Sequence, residues 1–178
     1  MQREKHRRNF VMIILLMGVS GCGKTTIGSL LAAELNWEFC DADSLHSVAN
    51  VNKMSRGFPL TDDDRADWLR AIRRYILDAV ARQRNSIIAC SALKATYREQ
   101  LLVDESVKII YLKGTYELIR QRMLQRHGHF MRPGLLQSQF DALEEPIDSL
   151  IVDITTPPEL IAEEIKTKLA LQHSPKEN

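Results

Sequence analysis

Short apolar runs alternate with stretches of helical periodicity along the whole chain. The runs are predicted strands and cover residues 10–17, 37–40, 86–90, 107–112 and 150–154. Between them apolar residues recur every three or four positions, as they do from Ile27 to Leu35. Runs that are apolar throughout suit strands covered on both faces, and strands separated by helices pair in parallel. The pattern predicts an α/β fold with a parallel five-stranded sheet and helices on both faces.

Three stretches depart from this alternation or mark where helices start. Residues 44–60 have no clear period and are expected to form a substrate-facing insertion of short helical pieces and loops. Thr61 with Asp64, and Thr156 with Glu159, predict capped helix starts. The acidic run 62–64 favours stabilisation of a helix start over metal binding. Around residues 127–134 the helical pattern dissolves, which predicts a mobile lid over about 120–136.

Length, charge and cysteine content limit the classes of protein that fit. The 178 residues suit one compact domain, predicted over 10–178 and preceded by a basic, disordered extension at 1–9. The net charge of +1 does not favour nucleic acid as a partner. The apolar run after the basic residues is too short to span a bilayer and lacks a small-residue cleavage site. Three cysteines without C-x-x-C spacing fit a reducing cytoplasm.

Residues 18–25 carry the strongest chemical signal, because they fit the phosphate-binding pattern G-x-x-x-x-G-K-T. The pattern lies between a predicted strand and a predicted helix, so backbone N–H groups and a helix N-terminus point at one anion. Lys24 is expected to reach the β- and γ-phosphates, and the Thr25 hydroxyl to bind Mg²⁺. The predicted nucleotide-binding residues are Gly18, Val19, Ser20, Gly21, Cys22, Gly23, Lys24, Thr25 and Thr26.

Charged side chains elsewhere complete a predicted phosphoryl-transfer site. Asp41 and Asp43 follow the second strand and, two residues apart on an extended segment, would point the same way. One carboxylate could serve the acceptor hydroxyl and the other the metal, although both could instead cap the next helix. Arg120, Arg122 and Arg126 precede the predicted lid and either surround the moving phosphoryl group or form a solvated helix face. Ser91 stands where a metal-binding aspartate could end the third strand.

Several segments in this order resemble the gluconokinase family of small P-loop kinases. They are Met-Gly-Val-Ser-Gly-Cys-Gly-Lys-Thr at 17–25, Asp-Ala-Asp-Ser-Leu-His at 41–46, Lys-Met at 53–54, Gly-Phe-Pro-Leu-Thr-Asp-Asp-Asp-Arg at 57–65, Trp-Leu at 68–69, Cys-Ser-Ala-Leu-Lys at 90–94, Tyr-Arg at 97–98, His-Phe-Met at 129–131, Leu-Leu at 135–136, Ser-Gln-Phe at 138–140 and Leu-Glu at 143–144. Cys22 and Ala42 depart from the serine and glycine that are common in the family. The resemblance implies ATP-dependent phosphorylation of D-gluconate at its 6-hydroxyl, in gluconate catabolism, and a homodimer.

The resemblance also suggests roles for individual residues. Asp43 would orient or deprotonate the gluconate hydroxyl, and Asp41 would act on Mg²⁺ through water. The catalytic set would be Lys24, Asp43, Arg122 and Arg126, with the two arginines serving ATP phosphate or transition-state charge. Because gluconate is an anion with many hydroxyls, its pocket needs a cation and polar donors. The substrate-binding candidates are Asp43, His46, Lys53, Arg65, Lys94, Arg98 and His129, with Arg65 and Arg98 proposed for the carboxylate.

Two other functions remain open from the sequence. The same fold could phosphorylate another small acceptor, such as shikimate or a nucleoside monophosphate. A nucleotide-dependent switch without turnover is the second alternative. A GTPase-type switch is disfavoured because the chain lacks an N-K-x-D base-reading motif.

Overall fold

A single parallel sheet organises the chain. The computed structural model describes residues 11–125 and 133–171. Five strands pair in the order β2-β3-β1-β4-β5, and every pairing is parallel. The strands are β1 Ile13–Met17, β2 Glu38–Asp41, β3 Ser86–Ala89, β4 Val107–Lys113 and β5 Leu150–Asp153. The predicted parallel sheet of five strands is confirmed.

Helices connect the strands. They are α1 Lys24–Leu35, a short 3₁₀ helix Ala42–Leu45, α2 Val48–Ser55, α3 Asp62–Ala81, α4 Ala95–Leu101, α5 Tyr116–Gln125, α6 Pro133–Asp141 and α7 Pro158–Lys168. The end of the 3₁₀ helix and all of α2 lie in the segment 44–60, which was predicted as an insertion of short helical pieces and loops. The predicted extension 1–9 and the centre of the predicted lid, residues 126–132, lie outside the described residues.

The central strand β1 feeds two apolar cores, because successive side chains of a strand point to opposite faces. Ile14 and Leu16 pack into the core that contains α1 and α7. Ile13, Leu15 and Met17 pack into the core that contains α3 and α4. All five side chains are fully buried. The predicted coverage of both sheet faces is confirmed, and the carboxyl edge of the sheet is left to the loops.

The two predicted helix caps have different outcomes. Thr61 accepts the Asp64 N–H and the Asp64 carboxylate accepts the Thr61 N–H, so α3 begins with the expected capping box. The capping box predicted at Thr156 is wrong, because α7 has Pro157 at its N-cap and no side-chain cap. A residue before a proline avoids the helical region, and Pro157 therefore keeps an extended ψ of 150°. The helix consequently starts at Pro158.

No helix in the described ranges 11–125 and 133–171 is long and apolar enough to cross a bilayer.

Candidate active site

The loop between β1 and α1 has the geometry of an anion cradle. Gly21 and Gly23 have φ angles of 83° and 103°, which residues with a Cβ atom rarely adopt. Gly23 is the N-cap of α1, and no side chain of the described residues caps that helix end. The Lys24 ammonium donates to the carbonyls of Gly18 at 2.9 Å and Val19 at 3.0 Å, which holds it over the loop. Backbone donors, a helix N-terminus and one cation are thus gathered for an anionic ligand.

Asp41 joins the end of β2 to the start of α1. The Thr25 hydroxyl donates to the Asp41 carboxylate at 2.8 Å, and the other Asp41 oxygen accepts the Asp43 N–H at 3.1 Å. Asp41 therefore caps the 3₁₀ helix, as one of the alternatives anticipated. The expectation that Asp41 and Asp43 lie on one extended segment is wrong, because Asp43 is inside that helix. The tight turn explains how the two carboxylates can serve different parts of the site.

The Thr25 and Asp41 oxygens suit a hard divalent cation such as Mg²⁺. No group of three or more metal-binding side chains occurs in the part of the chain that the structure describes. Such a pair fits a cation whose remaining ligands are phosphate and water oxygens, which is the usual arrangement for Mg²⁺ beside a nucleotide.

A cavity of about 720 Å³ extends from the phosphate-binding loop across the carboxyl edge of the sheet. Ser20 and Lys24 line it on the loop side, and Asp43 lines it after β2. Helices α2, α3 and α6, the segment before α3 and the loop after β3 contribute to the rest of the wall. The other polar or charged lining residues are His46, Ser55, Thr61, Asp62, Arg65, Ser91, Lys94, Ser138 and Gln139. The lysine of the loop and a carboxylate therefore face the same space.

His46 and Trp68 form one aromatic wall of this cavity. The Trp68 N–H donates to the carbonyl of Ala42 at 2.7 Å, which fixes the indole beside the 3₁₀ helix. Burial lowers the pKa of His46, while Asp43 raises it and Arg65 lowers it. The Nδ1 atom of His46 is buried and has no hydrogen-bond partner among the described residues. A neutral imidazole therefore lines this cavity.

Four residues form a polar cluster, and three of them, Asp62, Arg65 and Lys94, line the cavity. Lys94 donates to both oxygens of Asp62, at 2.7 and 2.8 Å, and the Tyr97 hydroxyl also donates to Asp62. The hydrogen bond from Lys94 is the main cause of a lowered pKa at Asp62. Arg65 donates to the Leu60 carbonyl at 2.5 Å and lies 5.8 Å from the Tyr97 ring centre. Because Asp62 already balances Lys94, Arg65 is the cation of these four described residues that remains for an anion.

Two other predicted substrate residues are not brought into this cavity. Lys53 pairs with Asp64 at 2.5 Å and thereby ties α2 to the start of α3. The buried Arg98 guanidinium donates to the carbonyls of Ala92 at 3.0 Å and Leu93 at 2.9 Å. Ala92 has a φ of 41°, so Arg98 supports a strained turn directly behind the cavity wall. The predicted roles of Arg126 and His129 fall outside the described residues.

Arg122 does not line the cavity that contains Asp43. It lines a second cavity of about 500 Å³ together with Gly23, Thr26, Pro157 and other residues. Its guanidinium donates to the Ile154 carbonyl at 2.5 Å. This cavity adjoins the start of α1, and Asp43 does not line it.

Gln139 of α6 is a site residue to which the sequence analysis gave no role. Its side-chain oxygen accepts the Ser20 N–H at 2.6 Å, and its side-chain nitrogen donates to the Ser20 hydroxyl at 3.2 Å. The only sequence signal was its place in the Ser-Gln-Phe segment at 138–140. A contact across 119 residues has no local periodicity that could reveal it.

A phosphate-binding loop on the carboxyl edge of a parallel sheet, opening into an acceptor cavity, defines a P-loop kinase. Residues 20–167 match the family described as shikimate kinase. A probable gluconokinase of Mus musculus is 46% identical over 152 residues, which cover 75% of this chain and 83% of that protein. The chain belongs to the gluconokinase family, as its sequence resemblance indicated.

Solved structures agree with this assignment. A sugar kinase from Janibacter sp. HTCC2649 superimposes with a TM-score of 0.84 at 44% identity, covering 90% of this chain and 95% of that one. A gluconokinase from Sinorhizobium meliloti 1021 gives a TM-score of 0.82 at 38% identity, covering 92% and 94%.

Proposed function

We propose that this protein phosphorylates D-gluconate at its 6-hydroxyl with ATP, which yields 6-phospho-D-gluconate. One observation carries the proposal: a single cavity is lined by Lys24 of the phosphate-binding loop, by Asp43 and by Arg65. A linear sugar acid has a hydroxyl at one end and a carboxylate at the other. Such a substrate needs a carboxylate for its hydroxyl and a cation for its acid group in one pocket.

The charged and polar residues of the cavity would have distinct roles. The Asp43 carboxylate would accept the proton of the 6-hydroxyl or orient that hydroxyl towards the phosphoryl donor. Arg65 would bind the acid end, because Lys94 is already paired with Asp62. His46 would contact a middle hydroxyl of the substrate from the cavity wall. This division uses only residues that line the cavity.

The metal would be held by Thr25 and, through water, by Asp41. A bound Mg²⁺ would neutralise phosphate charge and orient the transferred group. Lys24 would add its positive charge from the loop, and Arg122 would bind the nucleotide in the second cavity. We also propose that the protein is a homodimer, as the family resemblance implies, and that it acts in the cytoplasm. Light scattering of the purified protein would test the dimer.

The experiment that tests this function is a coupled ADP-release assay with a panel of acceptors. D-gluconate should be turned over efficiently, with kcat/KM at least about tenfold above that for shikimate, AMP or other aldonates, since the missing contacts cost about 1–3 kcal/mol. A Lys24→Met variant should lose the activity and so exclude a contaminating kinase. Faster turnover of shikimate would favour the alternative acceptor, and ATP hydrolysis indifferent to all acceptors would favour the switch.

A further inference from the structure

The Ser20–Gln139 contact uses a donor of the phosphate-binding loop. Ser20 is the third residue of that loop, whose backbone N–H groups surround the phosphates in P-loop proteins. In the structure its N–H instead donates to the Gln139 side chain at 2.6 Å. One N–H group makes one good hydrogen bond, so Gln139 and a phosphate oxygen compete for it.

The loop itself has little room to relieve this competition. A Cβ built on Gly21 would lie 2.9 Å from Cγ of Met123 and 3.1 Å from a methyl carbon of Ile119, both on α5. The neighbouring loop residue is therefore packed closely against that helix. Because the loop is braced there, a phosphate can gain the Ser20 N–H most easily when the Gln139 side chain turns away.

A Gln139 side chain that leaves Ser20 is already in the acceptor cavity. Gln139 lines that cavity together with Asp43, Arg65 and Lys94. Its amide offers one acceptor oxygen and two donor hydrogens, which match the hydroxyls of a polyol. The Gln139 amide, once a bound nucleotide has displaced it from Ser20, thus becomes available to the acceptor substrate.

We propose that Gln139 is a positioning residue that couples the two substrates: nucleotide phosphate displaces its side chain from Ser20, and the displaced amide then binds an acceptor hydroxyl. The identity of the acceptor rests on the proposed function, whereas the competition at Ser20 does not. By thermodynamic linkage, each substrate should increase the affinity of the other by the same factor.

Calorimetric titration of the full chain tests the coupling, with adenylyl imidodiphosphate as a non-hydrolysable ATP analogue. In the native protein the analogue should tighten D-gluconate binding at least about fivefold. Gln139→Leu removes the competitor, so the analogue alone should bind about two- to tenfold more tightly, and the coupling factor should fall towards one. Gln139→Glu keeps an acceptor for Ser20 but adds a negative charge, so the analogue should bind more weakly than to the native protein.

The predicted changes in analogue affinity are opposite in the two Gln139 variants, and this distinguishes the proposed role from a structural one. Damage to α6 would weaken analogue binding in both variants. Gln137→Leu is the matched control: Gln137 is exposed on the same helix and bonds to Asp141, and its replacement should change neither affinity. Weaker analogue binding to Gln139→Leu, or unchanged coupling in that variant, would overturn the proposal. If gluconate binds neither with nor without the analogue, the proposed function fails, and the signs of the two analogue affinities still decide whether Gln139 competes at Ser20.

Discussion

His46 lies flat against Trp68, with ring centroids 4.6 Å apart and 6° between the ring planes. Burial in this stack lowers the pKa of His46 from its ordinary value of 6.5, and Asp43 partly opposes the shift. We therefore predict that His46 is neutral at pH 7 and that Asp43→Asn lowers its pKa further. NMR titration of the imidazole would measure both values.

The lowered pKa of His46 also makes the stability of the folded state depend on pH. Below pH 6.5 the unfolded chain takes up the proton before the folded chain does, so the folded state loses stability as pH falls towards the folded pKa of His46. The loss should disappear in His46→Asn. A His46 pKa above 6.5 would contradict the prediction and would make His46 a cation for the acid end of the substrate.

Asp43→Asn tests the group proposed to serve the acceptor hydroxyl. The amide cannot accept a proton, so kcat should fall about 10²-fold or more. ATP affinity should stay near the native value, because Thr25 and Lys24 remain in place. Asp63→Asn is the control, since Asp63 is exposed at the start of α3. Turnover near the native rate in Asp43→Asn would remove this carboxylate from the mechanism.

Arg65→Ala tests the proposed contact to the acid end of gluconate. Loss of a charged hydrogen-bonded partner should raise KM for gluconate about ten- to a hundredfold, with little effect on KM for ATP. Arg70→Ala on the same helix should change neither constant, because Arg70 is exposed and pairs with Asp67. Equal increases in both KM values for Arg65→Ala would indicate a general defect of the site.

Asp41→Asn tests the proposed metal site with little disturbance of the backbone. Asparagine caps helices about as well as aspartate, so the 3₁₀ helix should persist while the charge is lost. The concentration of free Mg²⁺ needed for half-maximal activity should rise several-fold, because a water-mediated charge contact is removed. Mg²⁺ titration of steady-state rates would measure it, and an unchanged Mg²⁺ requirement would exclude Asp41 from the metal site.

Asp64 should make the start of α3 sensitive to acid. Hydrogen bonds from Lys53 and then Thr61 lower the pKa of Asp64 to about 2. Its stabilising contribution is therefore complete above the ordinary pKa of 3.8 and is lost as pH falls through about 2. Acid unfolding followed by circular dichroism should show a shallower pH dependence in Asp64→Asn between these values. An identical dependence would show that the contacts at Asp64 do not affect folding.

Local patterns predicted the fold and the phosphate-binding loop, because the apolar runs and the glycine spacing are contiguous in sequence. They did not predict the geometry of Asp41 and Asp43, since a tight 3₁₀ turn is a short-range backbone choice that two-residue spacing does not encode. Lys53 shows the other limit: whether a cation faces a ligand or a neighbouring carboxylate depends on tertiary packing. Gln139 could be found only from the fold, because α6 reaches Ser20 across the sheet edge.

The buried guanidinium of Arg98 has a consequence for how variants of this enzyme would be interpreted. It supports the strained turn at Ala92 from behind, next to Leu93 and Lys94 in the cavity wall. In a deep mutational scan, its replacement would therefore register as a loss of sugar-acid recognition although Arg98 does not line the cavity. Genotype–phenotype maps of this enzyme should accordingly assign Arg98 to the scaffold of the pocket. Ligand contacts should be sought among the residues that line the cavity in front of it.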